Sequence, residues 1–132
     1  MNYFVITERQ EVITASTFAQ SLRSRWPMAI VEEVRNPASS HVLEFRVPMV
    51  HGEVTGSLNR EGCSIAFVGD LQDCADFALW CRALLPPGEP TTFCDESMSG
   101  SLDLTASTTL ADIFHAFGHP SEGMPRVNPV RP

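Results

Sequence analysis

The sequence predicts an α+β fold, a two-layer sandwich in which about three helices pack on one face of a mostly antiparallel sheet. Three observations predict it. Apolar residues recur at helical spacing in two segments, 14–26 and 71–85. Residues 41–67 alternate apolar and polar side chains in successive short runs, the mark of half-buried strands. The elements follow in the order strand, helix, a meander of about four strands, helix, two short strands, helix.

Each element has its own local reason. Asn2–Thr7 is a short, apolar, β-prone run. From Thr14 the pattern becomes helical, with Ala15, Phe18, Ala19, Leu22 and Trp26 recurring at three, four and seven residues. Thr14 suits the N-cap, and Pro27 ends the helix because it disfavours the α conformation for Trp26. A strand follows at about 29–35, and Asn36-Pro37-Ala38-Ser39-Ser40 is a turn. In His41–Val50, Leu43, Phe45, Val47 and Met49 take one face, with Glu44, Arg46 and Pro48 on the other. Val54, Gly56 and Leu58 repeat the alternation, Glu61-Gly62 marks a hairpin turn, and Cys63, Ile65 and Phe67 continue it. Gly69-Asp70 breaks the sheet pattern and opens a helix over about 71–85. Asp70 stands at its N-cap and Asp73 at the N3 position of a capping box, and Pro86-Pro87-Gly88 stops it. Short strands are expected near 91–94 and 102–104. A third helix is expected near 109–117, with Leu110, Ile113, Phe114 and Phe117 on its apolar face and Gly118 as its stop.

The chain has 132 residues and a mass of 14.5 kDa, the size of one domain, and 43% of its residues are hydrophobic, enough for a core. Residues 1–117 are assigned to one α+β domain. Residues 118–132 contain four prolines and no periodicity, and read as a Pro-rich tail. No apolar run approaches the roughly 18 residues that span a bilayer. The opening Met1–Glu8 lacks the basic stretch and long apolar run of a secretory signal, so the expected compartment is the cytoplasm.

Charge narrows the class of partner. Every cation is an arginine; there is no lysine. Residues 1–60 hold six acids and six arginines, whereas residues 61–125 hold ten acids against Arg82 alone. Such a segment repels nucleic acid and anionic membrane, which need clustered cations, and attracts a basic protein surface. The four cysteines, Cys63, Cys74, Cys81 and Cys94, show no zinc-finger spacing, and their apolar surroundings point to core thiols.

Few residues suggest chemistry. His115 and His119 have the spacing of a helical metal pair, with Asp112 three residues earlier, but Gly118 and Pro120 interrupt the helix and no Glu follows His115. His51 and Glu53 place an imidazole and a carboxylate in one strand connection, without a sign of the cleft that acid–base catalysis needs. No nucleophile elbow and no phosphate-binding glycine loop occurs. The expectation is therefore no enzyme, no metal and no cofactor. The second helix is more informative. Winding it at 100° per residue gathers Leu71, Cys74, Ala75, Ala78 and Leu85 into a core face and sets Asp73, Asp76 and Trp80 opposite. Acids in a first helical turn also simply complement the helix dipole. An outward Trp needs a cover, supplied either by the chain itself, for example by the tail, or by a partner protein anchored on it. The expected partner-binding set is Asp70, Asp73, Asp76 and Trp80, extended by the loop acids Asp95, Glu96 and Asp103.

The stretch Gly69-Asp70-Leu71-Gln72-Asp73-Cys74-Ala75-Asp76-Phe77-Ala78-Leu79-Trp80-Cys81-Arg82, in a small, acidic, lysine-free chain, resembles the bacterial immunity proteins of contact-dependent growth inhibition and related polymorphic toxin systems. The resemblance lies in size, charge and layout over residues 1–117. It implies a monomer that binds one cognate toxin domain, often a nuclease, in a 1:1 complex and occludes its active site. Two alternatives stand beside it: a type III-like secretion chaperone, dimeric and binding an extended effector segment, and a small enzyme of unknown reaction.

Overall fold

The computed structural model describes residues 2–97 and 100–118; the expected tail, from 119 on, lies outside the described residues. The elements are β1 (Asn2–Thr7), α1 (Ala15–Arg25), β2 (Ile30–Glu33), β3 (His41–Pro48), β4 (Glu53–Asn59), β5 (Ser64–Val68), α2 (Leu71–Ala83), β6 (Thr91–Asp95), β7 (Ser101–Asp103) and α3 (Leu110–Ala116). The seven strands form one sheet in the order β2-β3-β4-β5-β1-β6-β7, with every neighbouring pair antiparallel. The fold is an α+β two-layer sandwich. The first strand sits inside the sheet, so β5 and β6 run the same way on either side of it, and α2 makes the crossing between them.

Strand alternation sends Tyr3, Val5, Leu43, Phe45, Val47, Val54, Leu58, Ile65, Phe67 and Phe93 to the helix side, where all are buried. Phe77 of α2 is the hub above them, with ring centroids 5.2 Å from Phe45, 5.0 Å from Phe67 and 5.7 Å from Trp26. Burying such a ring contributes about 2–3 kcal/mol by area alone. Gly56 makes room for the cluster. A Cβ there would collide with the carbonyl oxygen of Ala66 and come within 2.7 Å of the Phe45 ring. The seam continues through Phe93 to Phe117 and Tyr3, joining α3 to the same core.

The helix boundaries carry two departures from expectation. Asp70 does cap α2, accepting from the backbone N–H of Gln72 at 2.8 Å, but no capping box forms with Asp73. The box forms at α3 instead, between Thr109 and Asp112. Three of the four thiols are core groups as expected: Cys74, Cys81 and Cys94 are buried and Cys63 partly so. Burial, with Asp73 and Asp70 adding to it, pushes the Cys74 thiol up to about 12, which makes it unreactive at neutral pH.

Candidate partner-binding surface

The structure disperses the set expected on α2. Asp73 is fully buried, not on the outward side. The backbone N–H of His51 donates to both its oxygens, at 3.0 and 3.2 Å, and His51 Nδ1 lies 3.1 Å from Oδ1. Trp80 is half-buried, its ring 5.0 Å from Trp26, 5.8 Å from Phe18 and 5.5 Å from Phe77. Its cover is therefore helix α1, and Arg25 stacks on the neighbouring Trp26 at 4.6 Å. The winding argument failed for a physical reason. It assumed one buried face, whereas α2 lies between two neighbours: α1's rings close one flank and α3 packs on the helix as well. Asp95 is also corrected: as the last residue of β6 it points inward and is buried, accepting from Ser97 Oγ at 3.0 Å. Asp70, Asp76, Glu96 and Asp103 are exposed. They do not form one patch, because Asp70 and Glu96 lie at one end of the sheet and Asp103 at the other.

The registers define what gathers at the first end. Asn2 pairs with Val68, Glu96 accepts from the Asn2 backbone N–H at 2.7 Å, Pro48 pairs with Glu53, and Ile30 pairs with Arg46. The loops after α1, β3 and β5 thus open on the same side. They carry Met28 (78% exposed) and Val50 (86%), and the strand ends Val68 (40%) and Ile30 adjoin them. Four of the five large apolar side chains left exposed among the described residues lie at this end. The exposed acids Glu53, Asp70 and Glu96 belong to the same end, as do the exposed arginines Arg25 and Arg46, the latter 3.7 Å from Glu53. Apolar residues in polar connections, Met28 behind Pro27 and Val50 beside His51-Gly52, were the available sequence signal.

The buried Asp73 explains why the Val50 loop is held. Asp73 fastens the β3–β4 connection to the first turn of α2 through three contacts with His51. With Asp73 ionised, Nδ1 carries the proton and donates to it. Asp70 stands close enough that ligand atoms of His51, Asp70 and Asp73 lie within 4.8 Å of one another, a minimal donor set for a cation. Both Asp73 oxygens accept from His51, and one Asp70 oxygen caps α2. The His51 and Glu53 side chains, set aside as an acid–base pair on the sequence, have separate partners: Glu53 stands 3.7 Å from Arg46, and His51 turns to Asp73. Of the possible metal histidines, His115 is exposed on α3 and His119 lies outside the described residues.

Arg82 decides the electrostatics. It is buried, and its guanidinium donates to the carbonyls of Leu104 (3.1 Å), Leu85 (3.5 Å), Pro86 (3.3 Å) and Pro87 (2.7 Å). The one cation of residues 61–125 is thus interior, tying the end of α2 to the loops around it. Asp70, Asp76, Glu96, Asp103 and Asp112 face solvent with no exposed arginine from their own segment among the described residues. No helix of the described residues is long and apolar enough to cross a membrane. The chain matches no protein-family model, and comparison with curated proteins and with solved structures gives no match.

Proposed function

We propose that the protein is a cytoplasmic binding protein that engages a basic protein surface and, in the manner of the immunity proteins it resembles, neutralises a cognate toxin domain by covering its active site. In this reading it works as a monomer in a 1:1 complex, without catalysis, cofactor or metal. The observation that supports the reading is the exposed apolar group of Met28, Val50 and Val68 at the end of the sheet that also carries the exposed acids Asp70 and Glu96. Apolar side chains at the centre of an interface supply most of the affinity, and surrounding carboxylates speed the approach of a cationic partner. The expected anchor therefore moves from Trp80 to the loop end of the sheet.

Coexpression with the product of the neighbouring gene, which this reading requires to be a toxin, tests it. The wild-type chain restores growth, while Val50→Asp and Met28→Asp abolish protection and leave the fold intact. Unchanged protection by both variants removes this surface from the argument. A stable dimer that binds an extended segment of its partner favours the secretion-chaperone alternative.

A further inference from the structure

The described residues include two methionines, Met28 and Met49, and their surroundings differ. Met49 is half-buried against the core, whereas Met28 is 78% exposed in the turn between α1 and β2. Ile30 pairs with Arg46, so this turn and the loop carrying the exposed Val50 leave the sheet at the same end. We propose that Met28 is a reversible oxidation site, at which a peroxide converts the thioether to the sulfoxide and so switches off binding through the apolar group of Met28, Val50 and Val68. This is regulation of the surface read above as toxin-binding, and its effect on binding rests on that reading.

The turn is fixed without help from the Met28 side chain. The Ala29 backbone N–H donates to the Trp26 carbonyl at 2.9 Å. The Trp26 ring is stacked 5.7 Å from Phe77 and set edge-on 5.0 Å from Trp80, with the Arg25 guanidinium 4.6 Å from its centre. Met28 thus stands in solvent on a packed base, and a change at its sulfur leaves the core as it is. The thioether sulfur takes one oxygen of hydrogen peroxide, the O–O bond breaks, and the other oxygen leaves as water. Sulfur is oxidised by two electrons and the peroxide is reduced by the same two. A sulfoxide reductase using two thiols restores the thioether, with a disulfide and water as products. The sulfoxide oxygen is a strong acceptor that must shed water to enter an apolar contact, so it opposes the contact that the thioether favours. Three of the four thiols do not compete for the oxidant: Cys74, Cys81 and Cys94 are buried, and burial pushes each thiol up, away from the reactive thiolate.

The test treats the full chain with limiting hydrogen peroxide, then applies peptide mass mapping, thermal unfolding and titration against the product of the neighbouring gene. The expected result is one added oxygen at Met28, gained about tenfold faster than at Met49, with an unchanged melting temperature and affinity weakened about tenfold. Met28→Leu, which keeps apolar bulk but lacks the oxidisable sulfur, binds equally before and after treatment. Reduction of the treated wild type by a methionine sulfoxide reductase restores its affinity. Oxidation of Met28 no faster than of Met49, undiminished affinity of the oxidised chain, or an equal loss in treated Met28→Leu overturns the proposal. Untreated protein that fails to bind overturns the toxin-binding reading instead, and the mapping still decides whether Met28 is the oxidation site.

Discussion

The two halves of the sandwich handle charge in opposite ways. On the side built from α1, β2, β3 and β4, carboxylates and arginines share the surface: Glu33 stands 3.5 Å from Arg35, Glu53 3.7 Å from Arg46, and Arg23, Arg25 and Arg60 are exposed as well. On the side built from α2, β6, β7 and α3, three of the exposed acids are held by backbone N–H groups. Asp70 caps α2, Asp112 closes the capping box of α3, and Glu96 takes the Asn2 amide. An amide stabilises a carboxylate without cancelling its charge, so the field of this side survives in solvent. The difference teaches that polarity of a whole molecule need not come from surplus acid alone. Here it also requires that one arginine, Arg82, be drawn inside.

Breaking that arrangement at Arg82 has the largest expected effect. Arg82→Met leaves four carbonyls around the end of α2 without their donor, and urea unfolding should show a loss of about 3 kcal/mol or more. A loss under about 1 kcal/mol would mean that water serves those carbonyls equally well. Next comes Trp80→Ala, which removes the ring between Phe18, Trp26 and Phe77; a loss of about 2 kcal/mol is expected, with partner affinity of the folded fraction unchanged. Weaker binding at unaltered stability would return Trp80 to the interface. Asp73→Asn, which loosens the His51 clamp, should cost about 1–2 kcal/mol and raise amide exchange at His51 and its neighbours. Exchange as slow as in the wild type would show the loop to be held by something else. The smallest effect belongs to pH. Hydrogen bonds from Arg9 hold the Glu89 carboxyl below its ordinary value of 4.5. Its contribution to stability is therefore complete above that pH and is lost as the pH falls below it toward the folded-state value. Stability curves of the wild type and Glu89→Gln should differ in slope in that acidic window, and parallel curves would dismiss the pairing as a source of stability.

Most of the fold was legible because its signals are local. The alternation from Leu43 to Phe67 marked three successive strands, and Pro27, Asp70 and Pro86 marked helix ends within a few residues. The candidate surface was less legible because burial of a polar side chain depends on distant partners. Asp73 goes inside for His51, twenty-two positions away in the chain, and Arg82 for carbonyls in loops that the helix pattern does not reveal. The sidedness of α2 was misread for the same reason: periodicity shows where apolar residues lie on a helix, and not how many neighbours flank it. The exposed Val50 and Met28 were in plain view, as apolar residues in turns, but only the registers show that their loops open at one end.

The central place of β1 bears on how the chain reaches this structure. β1 is synthesised before either strand it pairs with, and it waits for Ser64–Val68 on one side and Thr91–Asp95 on the other. Meanwhile β2 through β5 meet neighbours that follow directly in the chain, and their hairpins close over short loops. A nascent chain can thus assemble a four-stranded ribbon while Tyr3 and Val5 remain uncovered. From topology alone, the capture of the first strand between the fifth and the sixth is expected to be the slow event, because it closes the longest loops of the sheet.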